Sequence, residues 1–272
     1  MMPNLRVLHR TSGTRHGAIT RMVSPQDLGQ LIKPFVFLDF LKAEIPPGFG
    51  FGFHPHSGIA TLTYQLDCDV EYEDTSGQKG TVRRRGLEWM QAGGGVWHRG
   101  TLTGSSQVTG FQLWVALPAG TEDGPSEGRY VPPEAVPSVG PVKVLLGEYG
   151  GVHSPITVPA PMLYLHVNLA KGERLNIELP KDFDVVWLMA FEGAVEVGGE
   201  TIADELVVLD KSDSILPLTS VEGGQLMVGA AVRHPYALVL GNYSVHTNTA
   251  SLVQGEARIG ELGDELTRQG RR

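Results

Sequence analysis

The chain has 272 residues, 41% hydrophobic and 19% charged, a composition that can bury a sizeable core. Its net charge of -8 argues against nucleic-acid binding through a broad basic face. A single cysteine, Cys68, excludes an intrachain disulfide, and no apolar run approaches the roughly 18 residues of a membrane span. The first residues lack the apolar core of a signal peptide, so the expectation is a soluble cytoplasmic protein with no membrane contact.

The predicted elements are almost all strands, and frequent glycine and proline between them favour an all-β fold. Residues 60–66 alternate β-branched, apolar and polar side chains, as a half-buried strand does. Residues 70–74 and 81–85 flank a glycine-containing turn and read as a hairpin, and 110–117 is a further strand. Between Pro118 and Pro141 the composition turns to Gly, Pro, Glu and Ser, which predicts a linker over 119–141. Residues 162–167, 184–190 and 225–232 are apolar strand candidates, and 192–199 is a short strand leaving a tight turn. The expected organisation is an N-terminal β domain over 1–118 and a C-terminal one over 142–272. Residues 252–266 are amphipathic and acidic enough for a short helix packing back on the body.

Three histidines carry the chemistry. His54 and His56 bracket Pro55, and two residues two apart on an extended segment point to one face. His98 closes the glycine-rich run 92–98, forty-two residues after His56, where a neighbouring strand can present it to the same point. Neutral imidazole suits iron, copper, nickel and zinc, so His54, His56 and His98 are the expected metal ligands.

These motifs resemble a known family. His54-Pro55-His56-Ser57-Gly58, followed by Thr61-Leu62-Thr63-Tyr64, is similar to the first cupin motif of the pirins. Residues 87–98 resemble the second motif, Phe111-Gln112-Leu113-Trp114-Val115 the strand that follows, and 34–39 the segment that precedes. Weaker echoes occur at 149–154 and 245–248. The resemblance implies two tandem cupin barrels, each a jelly-roll, with a metal in the N-terminal one and a structural C-terminal one. It also implies a divalent transition metal, most often iron, held by three histidines and a glutamate. Some bacterial pirins open the flavonol quercetin with dioxygen, and a eukaryotic pirin is an iron-dependent partner of transcription factors.

The chain departs from that pattern at the acid. Pirins carry their liganding glutamate two residues after the third histidine, where this chain has Gly100. Other cupins take one a few residues after the His-x-His pair, where Ala60 stands in a stretch without an acid. Three neutral imidazoles leave the ion's charge uncompensated, which favours an anionic ligand. Glu88 is the acid closest in sequence to the motif and faces either way on a strand. Arg99 could present a cation at the barrel mouth or face solvent. Of Arg83, Arg84 and Arg85, one is expected to point inward or pair with Glu71 or Glu73. Cys68, between Asp67 and Asp69, reads as a small buried residue with a raised thiol pKa. Phe53, Trp89, Met90 and Trp97 are core or pocket wall, and His166, His234 and His246 lack metal-ligand spacing.

The sequence thus predicts a metal-binding bicupin that takes a small aromatic or anionic ligand in its N-terminal barrel, acting as a quercetin 2,3-dioxygenase-type oxygenase. The alternative is a non-catalytic, metal- or redox-responsive regulatory cupin with a protein partner.

Overall fold

The computed structural model describes residues 5–46, 48–210 and 214–272. The chain folds into two compact units, one of residues 15–135 with 234–272, the other of residues up to Thr14 with 136–233.

The first unit is a two-sheet barrel. One sheet runs Glu127–Val131, Leu87–Gln91, Ile59–Gln65, Gln107–Ala116, Phe35–Glu44 and Ile19–Val23 in spatial order. The other runs Gly50–His56, Val96–Thr103, Asp69–Asp74 and Lys79–Val82. Neighbouring strands are antiparallel throughout. Residues opposed across strands share a face of the sheet, so the register states what lines the interior. One interior row reads Arg21, Asp39, Gln112, Thr63, Glu88, Tyr130, and the next Phe37, Trp114, Thr61, Met90. The first row is polar along its whole length, unusual for the inside of a small barrel.

The second unit repeats the architecture. A sheet of seven strands runs Arg6–Thr11, Glu205–Asp210, Val185–Gly193, Gly224–Ala231, Met162–Leu169, Val142–Leu146 and Ser138–Val139. A four-stranded sheet of Arg174–Glu178, Ile215–Thr219, Val195–Val197 and Glu200–Ile202 faces it. Its interior is aliphatic, with Leu165, Ile177, Leu188, Val207, Leu218 and Val228 in one buried cluster. The all-β, two-barrel expectation holds, and the C-terminal helix spans Thr249–Arg268.

Three boundaries differ from those expected. The predicted linker contains Glu127–Val131, an edge strand paired with Leu87–Gln91. Its Gly and Pro residues mark the turns around that strand. The first strand, Arg6–Thr11, pairs with Glu205–Asp210 in the second unit. The helix and the segment before it belong to the first unit rather than the C-terminal barrel. That assignment follows from packing. Trp97, Leu262 and Leu266 form one buried cluster with Phe53 against it, and Trp97 Nε1 donates to the Ile259 carbonyl at 2.7 Å. Asn248 caps the helix by accepting from Ser251 N at 3.0 Å.

Candidate metal centre

His54 and His98 are directly opposed across the Gly50–His56 and Val96–Thr103 strands, and His56 lies two residues along from His54. All three rings therefore leave one face of the small sheet. One ligand atom from each lies within 4.8 Å of the others, and among the described residues this is the one such group of His, Cys, Asp or Glu. The ring centroids are 4.3 to 5.1 Å apart.

Each imidazole has its Nδ1 beside an oxygen. His54 Nδ1 lies 2.8 Å from the Gly52 carbonyl and His56 Nδ1 3.2 Å from the Tyr243 carbonyl. His98 Nδ1 faces Glu88 Oε1 at 3.8 Å. A backbone carbonyl can only accept, so Nδ1 carries the proton in His54 and His56, and Nε2 keeps its lone pair. His98 Nε2 is buried with no hydrogen-bond partner. An orphaned imidazole nitrogen facing two other imidazoles is what a transition-metal ligand set requires, and outer oxygens fixing the rings are its usual support. The residues fit a metal ion.

Electrostatics point the same way. Burial pushes the His54 imidazole down to about 4, with His98 adding to the shift. Burial, then His98 and His54, hold the His56 ring well below its ordinary range. Both rings are therefore neutral near pH 7 and free to coordinate.

Position 60 is turned away from this cluster. Ala60 is opposed to Gln91 and Val115, on the face opposite to Thr61, Met90 and Trp114. Trp114 stacks on Phe37 at 4.1 Å and meets the His56 ring edge-on at 4.9 Å, so its row faces the histidines. Thr61 Oγ1 and Gln112 Nε2 in this interior are buried without partners. Such atoms each cost about 1–3 kcal/mol, a burden that proteins concentrate at functional sites. A cavity of about 360 Å³ lies on the other face of the small sheet, where Phe53, Pro55 and Trp97 alternate with the histidines, and it touches His54 beside Tyr243 and Ile259.

The chain after residue 240 supports this site, which no spacing rule reveals. Besides the Tyr243 carbonyl on His56, Ser57 Oγ lies 2.9 Å from Ser244 Oγ and 3.0 Å from His246 Nε2. Glu122, placed in the linker by composition, is buried 3.2 Å from His246 Nδ1 and accepts from Thr247 N at 2.7 Å. Gly58 sits at φ +72°, where a Cβ would lie 2.1 Å from the Val245 carbonyl. His246 and His234 thus lie in the unit of the first barrel.

The other singled-out residues settle as follows. Arg99 is bound to Glu73 at 2.5 Å and lies over the Phe53 ring at 5.0 Å. Arg271 reaches the same carboxylate at 2.6 Å. Arg83 pairs with Glu134 at 2.5 Å, not with Glu71 or Glu73, because its strand ends at Val82. The Cys68 thiol is buried and pushed up to about 11 by burial and then by Asp67 and Asp69. Trp89, Met90 and Trp97 are buried.

A model of the Pirin family matches residues 16–115. A Pseudomonas aeruginosa protein provisionally named quercetin 2,3-dioxygenase is 30% identical over 226 residues, 77% of this chain and 79% of the relative. A pirin-like protein of Caulobacter vibrioides is 30% identical over 71% of this chain and 72% of its own length. The chain belongs to the pirin family. The crystal structure of quercetin 2,3-dioxygenase from Acinetobacter baumannii superposes on this pirin with a TM-score of 0.88, covering 94% and 97% of the two chains at 22% identity. The Escherichia coli pirin YhhW in complex with nickel(II) gives 0.63, covering 85% and 100% at 20% identity. Both share the pirin bicupin fold, and no described helix of this pirin is long and apolar enough to cross a membrane.

Proposed function

We propose that this pirin is a metal-dependent dioxygenase of the quercetinase type, acting on a small aromatic or enolisable anion. Its ligands are His54, His56 and His98, and iron is the first candidate metal, ahead of copper, nickel and zinc. The observation that carries the reading is the buried, unpartnered Nε2 of His98 within reach of two neutral imidazoles. A divalent transition metal there would supply Lewis-acid and redox chemistry, lowering the pKa of a substrate hydroxyl and engaging dioxygen. The chain's own part is to orient the three rings through the Gly52 and Tyr243 carbonyls and the Glu88 carboxylate. The single buried thiol suits a reducing, cytoplasmic setting.

The test is oxygen uptake by the iron-loaded protein with quercetin and smaller enolisable anions. Uptake by the wild type, lost in His98→Ala, is the expected result. Gly100 favours the second reading, a non-catalytic metal- or redox-responsive regulator, because it leaves the ligand set without the family's carboxylate. Stoichiometric metal with no uptake on any of these substrates would decide for that regulator and against the oxygenase.

A further inference from the structure

A divalent ion held by three neutral imidazoles keeps its full charge, and neither position 60 nor position 100 answers it. The barrel interior nevertheless holds a carboxylate that motif spacing does not find. Glu88 is 4% exposed and stands in the polar interior row, opposed to Thr63 on one side and Tyr130 on the other. Both neighbours are turned to other acceptors. Thr63 Oγ1 donates to Gln112 Oε1 at 2.9 Å, and Tyr130 donates to Asp74 Oδ2 at 3.2 Å. Asp74, the other buried acid nearby, is committed as well, accepting from Ser76 N, Ser76 Oγ and Gln78 N. Among the described residues no lysine or arginine pairs with Glu88, and its ion-pair contact is His98 Nδ1 at 3.8 Å.

An isolated buried carboxylate is costly, and it persists where a charge of opposite sign answers it. We propose that Glu88 is the site's charge-compensating and positioning residue. From the neighbouring sheet it supplies the carboxylate that the ligand strand lacks. It acts through His98: at 3.8 Å, beyond hydrogen-bond length, its charge favours the tautomer with the proton on Nδ1, which leaves Nε2 as the donor and strengthens it. The arrangement converts a three-histidine, one-carboxylate ligand set into three histidine ligands with the carboxylate one shell out. The inference rests on the three-histidine reading of the site.

The experiment is calorimetric titration of metal-free protein with cobalt(II), comparing wild type, His98→Ala, Glu88→Gln and Glu88→Asp, with the melting temperature of each metal-free form recorded alongside. Wild type is expected to bind one equivalent and His98→Ala to lose it. Glu88→Gln should bind about 10- to 100-fold more weakly, the usual loss when a ligand's outer partner is removed. Glu88→Asp, which keeps the charge but withdraws it by a methylene, should fall between. Equal affinity of wild type and Glu88→Gln, even with a lowered metal-free melting temperature, would reduce Glu88 to a structural residue and leave the histidine site standing. If Glu88→Gln does not fold, Glu88→Asp decides, since affinity equal to wild type overturns the proposal. No cobalt bound by the wild type would sink the site and the proposal together.

Discussion

Two histidines outside the ligand set show what the interior of this pirin does to a titrating group. His234 is pushed down to about 4, by burial first and then by Lys33. His246 is lowered by burial, against the opposing pull of Glu122 and Asp123. Both are held neutral in the fold, while the unfolded chain takes up their protons below about pH 6.5. The unfolded state then binds more protons, so their contribution is intact above about 6.5 and is lost as the pH falls below it, for His234 down to about 4. The melting temperature of the metal-free protein should therefore drop steadily between pH 7 and 4.5. A flat profile over that window would show that neither ring is buried neutral. At this scale the convergence of the three histidines is legible, because a His-x-His pair on a strand needs only local geometry. Glu88 is not. Which way it faces depends on the register of Leu87–Gln91 against Ile59–Gln65 and Glu127–Val131, pairings that lie outside its own segment.

The C-terminal helix is the element whose place the sequence left open. Its amphipathic pattern predicts a packed face and is silent on which barrel receives it. Two glycines decide how closely it packs. A Cβ on Gly255 would lie 2.6 Å from Ser57 Oγ and 2.7 Å from His246 Nε2, and one on Gly263 would lie 2.8 Å from the Trp97 ring. Gly260, five residues after the first and three before the second, has nothing within 4 Å. The same substitution should then act with opposite sign along one helix. Gly255→Ala is expected to cost about 1–3 kcal/mol by forcing the helix off its seat. Gly260→Ala should stabilise by up to about 1 kcal/mol through helix propensity. Urea denaturation of the two variants checks this, and equal shifts would mean that the helix does not pack on Ser57 and His246. The linker illustrates the opposite error. Its Gly and Pro content reads as a boundary, yet Glu127–Val131 is a strand of the first barrel and Glu122 anchors Thr247.

For the whole chain, the two-barrel plan could be read from strand alternation and from the pirin motifs, while unit membership could not. Arg6 pairs with Asp210 at 2.7 Å across 204 residues, and no local signal encodes such a contact. The two units also differ in their interiors. The main cluster of one is aliphatic apart from Phe183, and the other carries a polar row and three converging imidazoles. That difference marks the first unit as the one with the candidate site. The most direct measurement is metal content by elemental analysis after purification without chelator or affinity-tag metal, wild type beside His54→Ala/His56→Ala. Close to one equivalent of iron or another first-row transition metal is expected in the wild type, and its loss in the double variant. No metal in the wild type, even after anaerobic reconstitution with ferrous iron, would contradict it.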